Sequence, residues 1–399
     1  MRSQTLVKSL GRNVIALGLV SFFSDLSTET ITPILPLFLV GVLGASYTTV
    51  GLIEGSADFL IGMLRVVSGW YSDKMERRKP FVTIGYTSAV FVKPLLAFAQ
   101  TPLHVLGLRL AERAGKGIRG APRDALVADS VDKAVLGRAF GFRSAMDTSG
   151  AVGGALLSLA LISVLVGNVS TVYRTVFILS ALPALISAAI AIFFVREVRK
   201  SEPQPVAGTK SFKLGLRSFS PSLKFLLVTV SFFSLGNFSL AFFILRAKSL
   251  GIPDSQTILL FLMFNIVYAL AALPFGELSD KIGRRKVITI GFAIFSGVCI
   301  GFAFSANFVE LAVSFAGYGL FMAAYEGVPK AYISEISKQE YKATALGAVA
   351  TATAVLSLGS SLIGGFLWDS FGPVSAFTYG AVMGLVALAL FVAGNKLMK

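Results

Sequence analysis

Asp25 and Glu29 lie four residues apart inside an apolar stretch, so a helix through them puts both carboxylates on one face. The next apolar stretch carries Asp58 near its middle, with Glu54 and Arg65 towards its two ends. Further on, Arg109, Glu112, Arg113, Lys116, Gly120 and Arg123 follow helical spacing and form a single polar stripe. Such groups in apolar surroundings suit the uptake and release of protons. Burial makes a carboxylate hold its proton more tightly, a nearby cation loosens it, and moving that cation loads or unloads the site. A charge at membrane depth costs about 3 kcal/mol on insertion scales, so these side chains are expected to face a cavity or a partner. Asp147, on the following helix, is expected to face the cations of the stripe. Proton coupling and substrate contact are therefore assigned to Asp25, Glu29, Asp58, Glu112, Arg113, Lys116 and Asp147. Lys93 reads as an isolated cation that either snorkels or neutralises a carboxylate.

The elements that must hold these groups are membrane helices. Of 399 residues, 55% are hydrophobic and only 14% charged, well below the charge of a soluble domain. Apolar stretches of about 20 residues are long enough to span a bilayer. Twelve are read, roughly 13–40, 48–71, 81–99, 103–128, 140–166, 173–195, 223–247, 255–278, 287–305, 308–330, 344–369 and 374–395. The fold expected is an all-α integral membrane protein. Its parts are a tail at 1–12, six helices over 13–195, a linker at 196–222, six helices over 223–395 and a tail at 396–399. Pro33 and Pro36 are expected to kink the first helix, which lacks a signal-peptide cleavage site.

A net charge of +15 raises nucleic acid as a partner, but the distribution points to lipid. Outside the spans, the Lys and Arg fall almost entirely in the termini and alternate loops. Only Arg174, Arg246 and Lys248 lie at the other face. That bias places both termini in the cytoplasm, in the plasma (inner) membrane. One cysteine, Cys299, and one histidine, His104, leave little for a metal site, and no nucleophile–base pair points to an enzyme. A receptor would carry a larger soluble segment than the linker.

One loop occurs twice. Gly69-Trp-Tyr-Ser-Asp73-Lys-Met-Glu-Arg77-Arg78-Lys79 returns 207 residues later as Gly276-Glu-Leu-Ser-Asp280-Lys-Ile-Gly-Arg284-Arg285-Lys286. At the same offset Asp58 corresponds to Asn265, and Arg119-Gly120-Ala-Pro122-Arg123 to Glu326-Gly327-Val-Pro329-Lys330. The chain is thus two related halves. The second is electrically quieter, and Asn237, Asn265, Tyr268, Tyr318, Tyr325 and Glu326 are its candidates for a substrate cavity. Glycines 141, 150, 153 and 154 permit close packing of the fifth helix, and the Ala-, Ser-, Thr- and Gly-rich eleventh suits sliding against neighbours.

The duplicated loop resembles the signature of the major facilitator superfamily, Gly-x-Leu-Ala/Ser-Asp-Lys/Arg-x-Gly-Arg-Lys/Arg. Residues 276–286 match throughout; the copy at 69–79 departs at Glu76, where glycine is usual. Arg113 with Gly117 is similar to the family's fourth-helix pattern. Gly141-x8-Gly150-x3-Gly154 resembles the start of the fifth-helix pattern of proton-exchanging exporters, departing at Ala155 and Ser158-Leu159. The resemblance implies two pseudo-symmetric six-helix bundles, substrate between them near midplane, and alternating access. It places Gly69, Asp73, Arg77, Arg78, Gly276, Asp280, Arg284 and Arg285 in a cytoplasmic gate, with Asp73 accepting hydrogen bonds from a helix end and pairing with a nearby arginine. The function expected is proton-coupled efflux of a small cationic or amphiphilic organic compound by a monomer. The proton gradient replaces any cofactor. Alternatives are a divalent-metal exporter using Asp25, Glu29 and Asp58, and a carrier of organic anions bound by Arg109, Arg113 and Lys116.

Overall fold

A computed structural model describes residues 2–132, 135–198, 219–337 and 342–394, with the side chains of 2–10 and 342–344 left aside. Most of the 196–222 linker and all of the 396–399 tail lie outside the described residues. Every regular element among those described is helical.

The first compact unit comprises Met1–Phe38 and Leu60–Phe212. Helix α1 (Arg2–Ile31) turns at Gly11, whose φ of 74° marks the junction between the tail and the span. Thr32-Pro33 interrupts the helix before α2 (Ile34–Gly41), the break that two closely spaced prolines impose. There follow α3 (Tyr47–Lys74), α4 (Lys79–Leu95), α5 (Pro102–Asp129), α6 (Leu136–Val164), α7 (Val169–Leu179) and α8 (Ala181–Phe193). Thr101 caps α5 through the His104 amide and Asn168 caps α7 through Thr171, as hydroxyl and amide side chains do at exposed helix starts. Helix α1 packs on α6 and α8, and α4 on α5 and α8. The α1–α6 contact is built on small residues. A Cβ on Gly150 would meet the Phe22 carbonyl, and one on Gly154 the backbone of Leu26 and the Glu29 side chain, so the two backbones approach as only glycine allows. Val14, Leu17, Val20, Tyr86, Leu126 and Val127 belong to a buried hydrophobic cluster of this unit.

The second unit comprises Lys213–Lys399 together with Leu39–Phe59. Its helices are α9 (Pro221–Gly236), α10 (Leu240–Ser249), α11 (Asp254–Ile282), α12 (Arg284–Phe304), α13 (Phe308–Tyr325), α14 (Val328–Ile336), α15 (Lys342–Phe371) and α16 (Pro373–Ala393). Phe233 centres its core, with ring centroids 4.7 Å from Phe292, 4.9 Å from Phe295 and 4.7 Å from Tyr325. The start of α3 is docked on α15: Asp369 accepts hydrogen bonds from the amides of Tyr47 (3.0 Å) and Thr48 (2.8 Å) and from the Thr48 hydroxyl (2.6 Å).

Among the described residues, ten helical segments are long and apolar enough to cross a membrane. Helices α3 and α5, each 28 residues, are long enough but carry the charges noted above. The two copies of this repeat differ in structure. Arg119–Arg123 lies inside the continuous α5, Pro122 included, and the helix runs on to Asp129. The matching Glu326-Gly327 interrupts the helix between α13 and α14. A proline inside a helix costs the bond its amide would make, and α5 tolerates Pro122 where its neighbours bury it.

Candidate functional site

The helix-1 carboxylates are the centre of the first unit's polar interior. Asp25 and Glu29 are both half-buried, and among the described residues no side chain hydrogen-bonds or ion-pairs with either. Apart from the desolvation of burial, the largest influence on each is the charge of Lys116. Around Asp25 the further charges are Asp147, Arg123 and Arg119; around Glu29 they are Asp25, Arg113 and Arg109.

Most of the remaining stripe on α5 is engaged in holding helices together. Arg109 and Glu112 are buried and pair at 2.7 Å. Lys93 is not isolated: it is 1% exposed, lies 4.0 Å from Glu112, and donates to Ser27 (2.7 Å) and Thr28 (3.0 Å) on α1. Burial leaves an ammonium no route to water, so it takes the carboxylate as partner. Arg119, outside the stripe and not assigned from the sequence, is also buried. It donates to the Gly85 carbonyl (2.9 Å) and the Ser24 hydroxyl (2.8 Å) and stacks over Tyr86. Arg123 pairs with Asp124 at 3.1 Å, which also binds Arg65 at 2.8 Å. Asp147 pairs on its own helix with Arg143 at 2.5 Å, and its charge also acts on Arg123 of the stripe; Arg143 in turn reaches Asp124 of α5 at 3.8 Å. An i, i+4 partner is simply nearer than a cation on another helix.

Asp58 lies in the segment that clusters with the second unit, where its charge acts on Tyr318. It therefore does not share a unit with Asp25 and Glu29, with which the sequence grouped it. Its repeat partner Asn265 is buried and donates to its own helix, to the Phe261 carbonyl at 3.0 Å. Tyr318 packs against Phe243 at 4.5 Å and Phe264 at 5.2 Å, and Tyr325 against Phe233, so both belong to the aromatic core. Asn237 sits at the break between α9 and α10, and Tyr268 is half-buried on α11. Glu326 is exposed at the next break and pairs with Lys330 at 3.5 Å.

The two basic loops differ in wiring. In the first, Arg78 bridges Asp73 (3.0 Å) and Asp129 (2.7 Å), while Glu197 caps α4 through the amides of Arg78 and Lys79. Arg77 is exposed and lines a groove of about 430 Å³ with Lys79, Pro80, Thr83, Ile84 and Glu197. In the second, the preceding arginine does this work: Arg284 binds Glu335 at 2.8 Å and Asp280 at 3.5 Å. Arg285 instead donates to the Phe391 carbonyl at 2.7 Å. Gly69 lies close to Ala121, whereas Gly276 has open space around it.

Arg174, Arg246 and Lys248 are likewise spoken for. Arg246 is buried and donates to the carbonyls of Phe302, Ala303 and Ser305, closing the C-terminus of α12. Arg174 donates to the Ala97 carbonyl at the end of the 3₁₀ turn after α4, and Lys248 pairs with Asp254 at 2.6 Å. Helix C-termini attract such cations through their unpaired carbonyls.

This arrangement of helices has known counterparts. The Major Facilitator Superfamily profile matches residues 17–247 and 224–396. An MFS-type transporter of Methanocaldococcus jannaschii, described as uncharacterised, is 38% identical over 393 residues, 96% of each chain. A probable sugar efflux transporter of Mannheimia succiniciproducens is 28% identical over 153 residues, 37% of each chain. The structure of a bacterial homologue of the human lysosomal transporter Spinster superposes with a TM-score of 0.78 at 16% identity, covering 96% of each chain. The chain is a multi-pass membrane transporter of the Major Facilitator Superfamily.

Proposed function

We propose that the chain exports a small cationic or amphiphilic organic compound in exchange for protons, by alternating access. Helices α3 and α5 count as membrane spans in this reading, giving twelve, with both termini on the cytoplasmic side of the plasma membrane. The protein works as a monomer, driven by the proton gradient. The observation that carries the reading is the state of Asp25 and Glu29. They are the two carboxylates of the first unit's interior that have no hydrogen-bond partner among the described residues, and Lys116 is the main charge acting on both. Glu112, Asp124 and Asp147 are each held by an arginine at 3.1 Å or less. A proton carrier must exchange its proton, and a carboxylate not already clamped by an arginine does so most readily. In this reading Lys116 is the movable counter-charge. Export agrees with the Mannheimia succiniciproducens relative being a probable sugar efflux transporter.

The experiment is proton flux in proteoliposomes, driven by candidate organic cations first ranked by thermal shift of the purified protein. Asp25→Asn or Glu29→Gln is expected to reduce substrate-driven proton flux at least about tenfold, and Lys116→Gln to uncouple it. Wild-type flux in all three variants sinks this assignment. A thermal shift obtained only with organic anions would move the substrate class to the alternative bound by Arg109, Arg113 and Lys116.

A further inference from the structure

The two basic loops employ their arginines differently, and one guanidinium is left over. In the second loop Arg284 is engaged by Glu335 at 2.8 Å and Asp280 at 3.5 Å. In the first, Arg78 takes the carboxylates, Asp73 at 3.0 Å and Asp129 at 2.7 Å. Arg77, the counterpart of Arg284, is exposed and has no hydrogen-bond or ion-pair partner among the described residues. It lines the groove of about 430 Å³ where α4 begins. The other charges of that groove are already used. Glu197 accepts from the amides of Arg78 (2.9 and 3.0 Å) and Lys79 (2.9 Å), and the Lys79 ammonium donates to the Ile192 carbonyl of α8 at 2.9 Å. Arg77 is therefore the charge that the groove offers to a ligand.

The rest of this surface is apolar. Ile84, in the groove, is 59% exposed, and Phe193 and Phe194, which follow Ile192 at the end of α8, are 77% and 67% exposed. The membrane span of α4 starts here, at Lys79. Ile84 lies one and a half turns further on, about 7.5 Å along the helix axis. The groove thus joins a cation at headgroup depth to an apolar floor at the depth of the first methylenes. That profile fits a phospholipid; a soluble anion would leave Ile84 and the two rings uncovered. Any lipid supplies chains, so the apolar part gives little preference, and the headgroup charge decides. A guanidinium holds a phosphate with two parallel hydrogen bonds, and a basic residue at a membrane surface favours anionic lipid.

We propose that this groove binds one anionic phospholipid, with its phosphate on Arg77 and a chain along Ile84. The site depends on neither the transported compound nor the proton carrier. Thermal unfolding in an uncharged detergent tests it, with phosphatidylglycerol, phosphatidylcholine and free glycerol phosphate as probes. Phosphatidylglycerol should raise the unfolding temperature at about fivefold lower concentration than phosphatidylcholine. Free glycerol phosphate should have no effect. Arg77→Ala should abolish the preference, whereas Arg284→Ala, which removes an arginine already engaged by carboxylates, should keep it. A preference unchanged in Arg77→Ala, one lost equally in Arg284→Ala, or an equal shift from free glycerol phosphate overturns the proposal. Should Arg77→Ala not fold, a photoactivatable phosphatidylglycerol in vesicles of the unsubstituted protein decides. Its adducts should map to residues 77–84 and be suppressed by excess phosphatidylglycerol but not by the same excess of phosphatidylcholine. Adducts only elsewhere, or suppression by both lipids alike, overturn it equally.

Discussion

Glu76 and Gly283, equivalent positions of the duplicated loop, both adopt a positive φ, 53° and 96°. The loop turns through the left-handed region in each half, which is why its pattern calls for glycine there. Glutamate pays about 1–2 kcal/mol for that conformation, partly offset because glycine loses more entropy on ordering. Glu76→Gly should therefore raise stability by about 0.5–1 kcal/mol, whereas Gly283→Glu should lower it by about 1 kcal/mol. Thermal denaturation in detergent checks both signs.

The buried cluster of Lys93, Arg109 and Glu112 sets an order among substitutions. Glu112→Ala removes the partner of two buried cations and should cost about 3–5 kcal/mol. Lys93→Met leaves Glu112 paired with Arg109 and should cost clearly less, about 1–2 kcal/mol for the lost hydroxyl bonds. Denaturation midpoints in the reverse order would mean that Lys93, not Arg109, is the main partner of Glu112.

Asp73→Asn should reduce transport more than Asp280→Asn. Asp73 meets Arg78 at 3.0 Å, and that arginine is only 19% exposed; Asp280 meets Arg284 at 3.5 Å and is itself 71% exposed. Solvent screens the second pair more strongly, so its loss should be worth well under about 1 kcal/mol. Initial rates in reconstituted vesicles make the comparison, and equal losses would remove the asymmetry.

Arg246→Lys should destabilise the protein by about 2 kcal/mol although the charge is kept. A planar guanidinium reaches the carbonyls of Phe302, Ala303 and Ser305 together, and an ammonium does not reproduce that fork. Thermal unfolding measures it. Stability equal to that of the parent would show that charge alone closes α12.

The all-helical membrane class and the face shared by Asp25 and Glu29 were legible in the sequence, because hydropathy and the 3.6-residue period are local properties. The polar stripe of α5 was legible as a stripe, but not which cation it leaves for chemistry. That depends on how closely α4 lies on α5, where Gly85 meets the Gly115 carbonyl and brings Lys93 to Glu112. Arg119 was hidden because it lies off the stripe and satisfies itself on Gly85 and Ser24. Asp369 was not singled out from the sequence. Its partners Tyr47 and Thr48 lie 322 and 321 positions away, beyond any spacing rule. That Asp58 clusters with the second unit was hidden for a related reason: helical position gives depth, not which neighbour a long helix leans on.

Because α3 is divided between two compact units, the halves visible as a repeat are not separable polypeptides. A fragment beginning after the linker would lack Leu39–Phe59 and leave Gly365, Ser361 and Leu358 uncovered. Produced on its own, it should aggregate or recruit a foreign helix. Coexpression with the first 198 residues should restore a soluble, paired complex in detergent, and supplying residues 39–59 as a separate peptide should do part of the same.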